Sequence, residues 1–221
     1  MAYYIYGNEL ISLITGTVAA VPQLIMALFV PKIIRKIDKT TLFKISTIAA
    51  IALSIPVCFA RESLVLFIVT FMLRSIPLGI IGVLAFTFTP DCAEYGQFTT
   101  VTESKGITNA IQTLAVKLSA AISSGLGLFL LGLFKCRTEF EGIEIKGFAD
   151  LQAANAIELQ PAGALDGLWF TYNVVPIIGL VIALGIWSLY RRKDKDVQVM
   201  ADCNCGNITK EEATKLLSRK Y

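Results

Sequence analysis

The chain has 221 residues, is 55% hydrophobic and 17% charged, and has a mean hydropathy of +0.65. That is far more apolar than a soluble domain of this length. It contains no histidine, which excludes His-based general bases, HExxH metal sites and Ser-His-Asp or Cys-His dyads together. The net charge of +3 reflects where Lys and Arg lie along the chain and calls for no nucleic-acid partner.

In chain order, residues 1–8, "MAYYIYGN", lack both a basic start and a small-residue cleavage site, so they are not a signal peptide. Tyr3, Tyr4 and Tyr6 suit the aromatic belt of a preceding helix, and 1–8 are expected to be the remnant of a span cut near its outer end. The other reading is a five-span protein with its amino end outside. Five apolar blocks follow, at about 10–30, 42–60, 64–89, 106–133 and 168–190. Each reaches the roughly 20 residues that a membrane span requires, and 9–190 is expected to form one bundle. Pro22, Pro56 and Pro77 interrupt three of the helices, as is common where membrane helices bend.

The connections alternate in character. "PKIIRKIDKTT" is a short basic turn, and Arg61-Glu62-Ser63 is a link so short that it forces an antiparallel hairpin. "PDCAEYGQFTTVTESKG" is a polar, Thr-rich stretch, and Lys135 to Leu165 a loop of mixed polarity. Trp169, Phe170 and Tyr172 at one end of the last block, with Trp187 and Tyr190 at the other, read as interfacial anchors. In the tail, 191–221, Thr209 and Glu212 are spaced for a capping box that opens a short amphipathic helix. Of the Lys and Arg residues outside the spans, fourteen fall in one set of alternating segments and four in the other. The richer set, which includes the tail, is therefore expected to be cytoplasmic. The five cysteines are read as free thiols, the "CNC" of Cys203 and Cys205 being a weak metal signal.

Two cations lie inside spans. Lys117 is eleven residues from the nearer end of its block, or roughly 16 Å at about 1.5 Å per residue. That exceeds the reach of a lysine stem. A lysine at such depth costs about 2.5–3.5 kcal/mol on insertion scales and needs a carboxylate or a watery cavity. Asn109, Thr113, Ala121 and Ser124 share its helical face, which is small and polar and suits a cavity or a close helix contact. No acid in the sequence lies at comparable depth, so its partner is expected outside this chain. Arg74 is the second cation. It either snorkels to the surface or contacts an anionic group such as a substrate carboxylate. Asp91 and Glu94 would face one way on a helical turn. They form a solvated rim or pair with basic residues of a facing half to close the cytoplasmic side.

From "DCAEYGQF" through "ESKGITNAIQTLAVKLSAAI", the chain resembles the glycoside–pentoside–hexuronide:cation symporters of the major facilitator superfamily, of which the melibiose carrier is the best-known member. Asp91, Glu94, Tyr95 and Gly96 occupy the first positions of the family signature, and Lys117 follows Glu94 by 23 residues, where the family has its lysine. Gln97 stands in place of the family's glutamate, and Glu103-Ser104-Lys105 carries the charges of the family's Arg-x-Glu in exchanged order. The resemblance implies an all-α integral membrane fold of twelve spans in two halves. This chain would be the carboxyl-terminal half-bundle, with five full transmembrane helices and the remnant of a sixth. It implies a Na⁺- or H⁺-coupled sugar or glycoside symporter in the plasma membrane, working by alternating access, with no enzymatic activity and no cofactor. The coupling ion would be bound mainly by the missing amino-terminal half, and this half would carry no metal site. Lys117, Thr113, Asn109 and Ser124 would line the substrate and cation cavity. Asp91, Glu94, Tyr95, Gly96, Glu103 and Lys105 would form the cytoplasmic gate. Two rival expectations are a lipid or lysolipid transporter of the same superfamily and a small membrane scaffold or assembly subunit.

Overall fold

The computed structural model describes residues 9–100, 105–136, 160–161, 163–190 and 193–218. The expected remnant at 1–8, Glu103, and most of the loop expected from 135 to 165 lie outside the described residues. Those described form α1 (Glu9–Ile34), α2 (Lys39–Phe59), α3 (Leu64–Thr100), α4 (Lys105–Leu133), α5 (Ala164–Ser188), α6 (Asp194–Asn204) and α7 (Lys210–Leu216). The first five are each long and apolar enough to cross a membrane, and no strand occurs among the described residues. The molecule is an all-helical, multi-pass membrane protein.

α3 is the axis of the bundle. α1 and α2 pack along it, and α2 also contacts α5. The buried face of α3 follows helical periodicity, with Phe67, Phe71, Arg74 and Ser75, and then Leu84, Phe88 and Asp91. Two aromatic clusters tie α2, α3 and α5 together. At one end Phe43, Phe88, Trp187 and Tyr190 meet, with ring centroids 4.3 Å apart for Phe88–Trp187 and 4.5 Å for Phe43–Trp187. At the other end Phe67 contacts Phe71 at 5.4 Å and Trp169 at 5.6 Å, and the Trp169 indole N–H donates to the Cys58 carbonyl at 3.0 Å. Trp169 is only 8% exposed. It therefore works inside the bundle and not as the interfacial anchor that its place in the sequence suggests. Composition places an aromatic near a helix end; only packing decides which way it points.

Two features lengthen the fold beyond the apolar blocks. α1 continues through Pro31 to Ile34, so the basic turn is confined to residues 35–38. α3 continues through Pro90 for eleven residues past Thr89, making 37 in all, or about 55 Å at 1.5 Å per residue. A hydrocarbon core is only about 30 Å thick. Pro90 removes one backbone donor, but the polar extension is held by partners from elsewhere in the chain. On it Phe98 packs with Met200 of α6 and Ala213 of α7. The tail is thus docked as two helices. Thr209 caps α7 by accepting from the Glu212 amide at 3.3 Å, while the Glu212 carboxylate accepts from the Thr209 amide at 3.0 Å.

Candidate functional site

Four helices converge on a cavity of about 480 Å³, within the range of small-molecule sites. Ala19 and Gln23 of α1, Phe71, Arg74, Ser75 and Leu78 of α3, Gly127 and Leu131 of α4, and Leu168, Thr171, Tyr172 and Pro176 of α5 form its wall. Arg74 reaches this wall because it lies one helical turn from Phe71 on the buried stripe of α3. Its guanidinium carbon stands 6.0 Å from the Phe71 ring centroid. α1 is held close by Gly79, where a Cβ would fall 2.8 Å from the Gln23 Cα and 3.2 Å from its carbonyl oxygen. Only a residue without a side chain fits there, so Gly79 sets how near Gln23 comes to the cavity.

Arg74 is 5% exposed, so it does not snorkel. Its Nε and Nη1 are buried without a hydrogen-bond partner, and it makes no ion pair among the described residues. The Thr171 hydroxyl, on the same cavity, is also buried and unpartnered. Ser75 is satisfied locally, donating to the Phe71 carbonyl at 2.9 Å. None of the described lining residues is acidic. An uncompensated cation out of water costs several kcal/mol, and among the described wall residues the Phe71 ring offsets only part of that.

The opposite end of the bundle handles charge differently. Lys39 Nζ donates to both oxygens of Asp91, at 2.7 and 2.6 Å, and lies 4.0 Å from Asp194. Asp194 also accepts from the Lys39 backbone amide at 2.8 Å, so a residue of α6 caps the start of α2. Burial holds the Asp194 carboxyl above its ordinary range, while the Lys39 amide and ammonium pull it down. Glu94 accepts from Lys105 Nζ at 3.2 Å and from the Asn204 side-chain amide at 2.8 Å, joining α3, α4 and α6. Asp91 and Glu94 therefore take separate partners within this chain, and Asp91, 6% exposed, is not part of a solvated rim. Tyr95 packs beside Phe98 and Met200. The Gly96 carbonyl accepts from the Thr100 hydroxyl at 2.7 Å.

Lys117 stands apart from both regions. It is exposed on α4, as are Asn109, Thr113 and Ser124. No described residue of α4 is buried, although the helix touches α3 and α5. The Thr113 hydroxyl donates to the Asn109 carbonyl at 2.9 Å. α4 meets the cavity only at Gly127 and Leu131, so Lys117 is ten residues away, or about 15 Å along the axis. The sequence signals thus resolve into three places: the Lys117 face, the Arg74 cavity and the Lys39–Asp91 end. Gln23, Thr171 and Gly79 are contributors that the sequence did not single out. Gln23 carried a signal, as a lone amide in an apolar span beside Pro22.

Helices of membrane-spanning length, carrying prolines in their interiors and converging on a cavity with polar groups, define a polytopic membrane protein of transport type. The chain belongs to the MFS/sugar transport protein family, the melibiose-carrier-like family of the major facilitator superfamily, whose family model matches residues 1–193. It is a sugar transporter of that superfamily and not an enzyme. No curated protein and no solved structure matches the chain.

Proposed function

We propose that the protein is a cation-coupled sugar symporter in which the Lys117 face of α4 lines the translocation path, with Na⁺ or H⁺ as coupling ion. The observation that carries this reading is the contrast between α4 and its neighbours. α4 is 29 residues long and apolar enough to span a bilayer, yet none of its described residues is buried, and Lys117, Asn109, Thr113 and Ser124 are all left exposed. A charged residue facing lipid at that depth costs about 2.5–3.5 kcal/mol even on insertion scales. A watery path, bounded on its far side by a second half-bundle that supplies the ion-binding carboxylates, makes that face stable. In this reading the Lys39–Asp91 and Glu94–Lys105 pairs, with Tyr95 and Gly96 next to Glu94 in sequence, belong to the cytoplasmic gate in the plasma membrane, a role also assigned to Glu103 from the family signature. Their exchange of partners accompanies alternating access.

Lys117→Leu is expected to reduce sugar uptake driven by a sodium or proton gradient by at least about a hundredfold, the loss of a charge-assisted contact of roughly 3 kcal/mol. Expression and membrane insertion are expected to persist. Wild-type uptake by this variant, measured with radiolabelled sugar in proteoliposomes, would overturn the assignment.

A further inference from the structure

The Lys117 path leaves the cavity at Arg74 unexplained. Arg74 brings a permanent positive charge, more than nine-tenths buried, with two nitrogens that lack a partner. Gln23, Thr171 and Tyr172 add an amide and two hydroxyls to the same wall, and the buried Thr171 hydroxyl is itself unpartnered. Arginine remains protonated in proteins, so this charge cannot be relieved by losing a proton. The described residues of the wall supply no carboxylate, and a buried cation is stable only when something pairs with it. What the cavity lacks is one small anion able to accept from several donors.

We propose that this cavity is an anion subsite separate from the Lys117 face, binding one carboxylate-sized group. Arg74 supplies the charge and Thr171, Tyr172 and Gln23 the additional hydrogen bonds. A carboxylate fits the donors better than a neutral hydroxyl, because each bond to it is charge-assisted. The same chemistry can arrive on an acidic sugar or as a free small anion. The first source rests on the sugar-transport reading above; the second does not.

The test uses the intact protein purified in detergent, with D-glucuronate, D-glucose and sodium acetate as probes, on the wild type and on Arg74→Gln and Arg74→Lys. Expected for the wild type is glucuronate binding tighter than glucose binding by about tenfold or more, with acetate competing. In Arg74→Gln the ratio is expected to fall to about one, and in Arg74→Lys to an intermediate value, because lysine keeps the charge but loses the planar donors. Acetate protection from thermal unfolding that depends on Arg74, with neither sugar bound, would identify a free anion as the ligand and remove the sugar reading alone. Glucose binding with no glucuronate preference and no acetate effect would overturn the anion subsite and leave the sugar reading standing. Should Arg74→Gln fail to accumulate, that wild-type outcome is decisive by itself.

Discussion

Lys39 and Arg74 are both largely buried cations in contact with α3, and the molecule treats them in opposite ways. Around Lys39 it assembles Asp91 at 2.6 Å and Asp194 at 4.0 Å, drawn from two different helices. Around Arg74 it assembles Phe71, an unpartnered hydroxyl and open volume. Arg74, the more deeply buried of the two, is the one without a carboxylate among the described residues, so the difference lies in what each site is for. A cation whose carboxylates come from distant parts of the same chain is a fastener. A cation left unpaired beside a cavity is kept for something that arrives.

Breaking the fastener gives the largest expected effect on stability. Asp91→Asn leaves the Lys39 ammonium with only the more distant Asp194. Removing one partner of a buried pair costs about 3–5 kcal/mol. Lys39 keeps 17% of its side-chain surface exposed, so the lower end, about 3 kcal/mol, is expected. Thermal unfolding in detergent reads this directly, and a loss below about 1 kcal/mol would return Asp91 to the rank of a surface charge. The double variant Lys39→Met/Asp91→Leu is expected to recover most of the loss, because an apolar pair often replaces a buried ion pair at little cost. A smaller effect is expected at the cavity. Gly79→Ala drives a methyl into the Gln23 backbone and is expected to cost about 2 kcal/mol through overpacking. A neutral result would mean that α1 slides freely on α3, and that the cavity wall is not fixed there.

The comparison also separates what was legible in the sequence from what was not. Five spans were legible because apolar blocks of bilayer length have few other readings, and Lys117 and Arg74 stood out against them as charges. The extension of α3 was not legible. "PDCAEYGQFTT" opens with proline and is polar, and the reasons it stays helical are remote: Lys39, Lys105, Asn204 and the tail residues that cover Phe98. α6 was missed because "DKDVQVMADCN" is polar on average, although Val197 and Met200 are spaced to bury one face and do so. The inward turn of Trp169 was hidden for a different reason, since belt and core use the same residue types at helix ends. Which charges pair is a fact of tertiary structure. The sequence shows Lys39 as one cation of a basic turn and Arg74 as a lone charge in a span, and it names a partner for neither.

The smallest expected stability change is the one that bears most directly on the contrast between them. Arg74→Met keeps the length and apolar stem of the side chain but removes the charge. If Arg74 were a structural fastener like Lys39, its loss would strand a partner and destabilise by several kcal/mol. No such partner exists among the described residues, so the substitution removes a desolvation cost and leaves no orphaned carboxylate. The expected change in unfolding free energy is therefore within about 1 kcal/mol of zero and on the stabilising side, measured in detergent without added carboxylate. Addition of acetate is expected to raise the wild-type unfolding temperature and leave that of Arg74→Met where it was, because only the wild type has a charge for the anion to meet. A destabilisation by Arg74→Met as large as that by Asp91→Asn would make the two cations alike, and the cavity would then be a consequence of packing around a structural arginine.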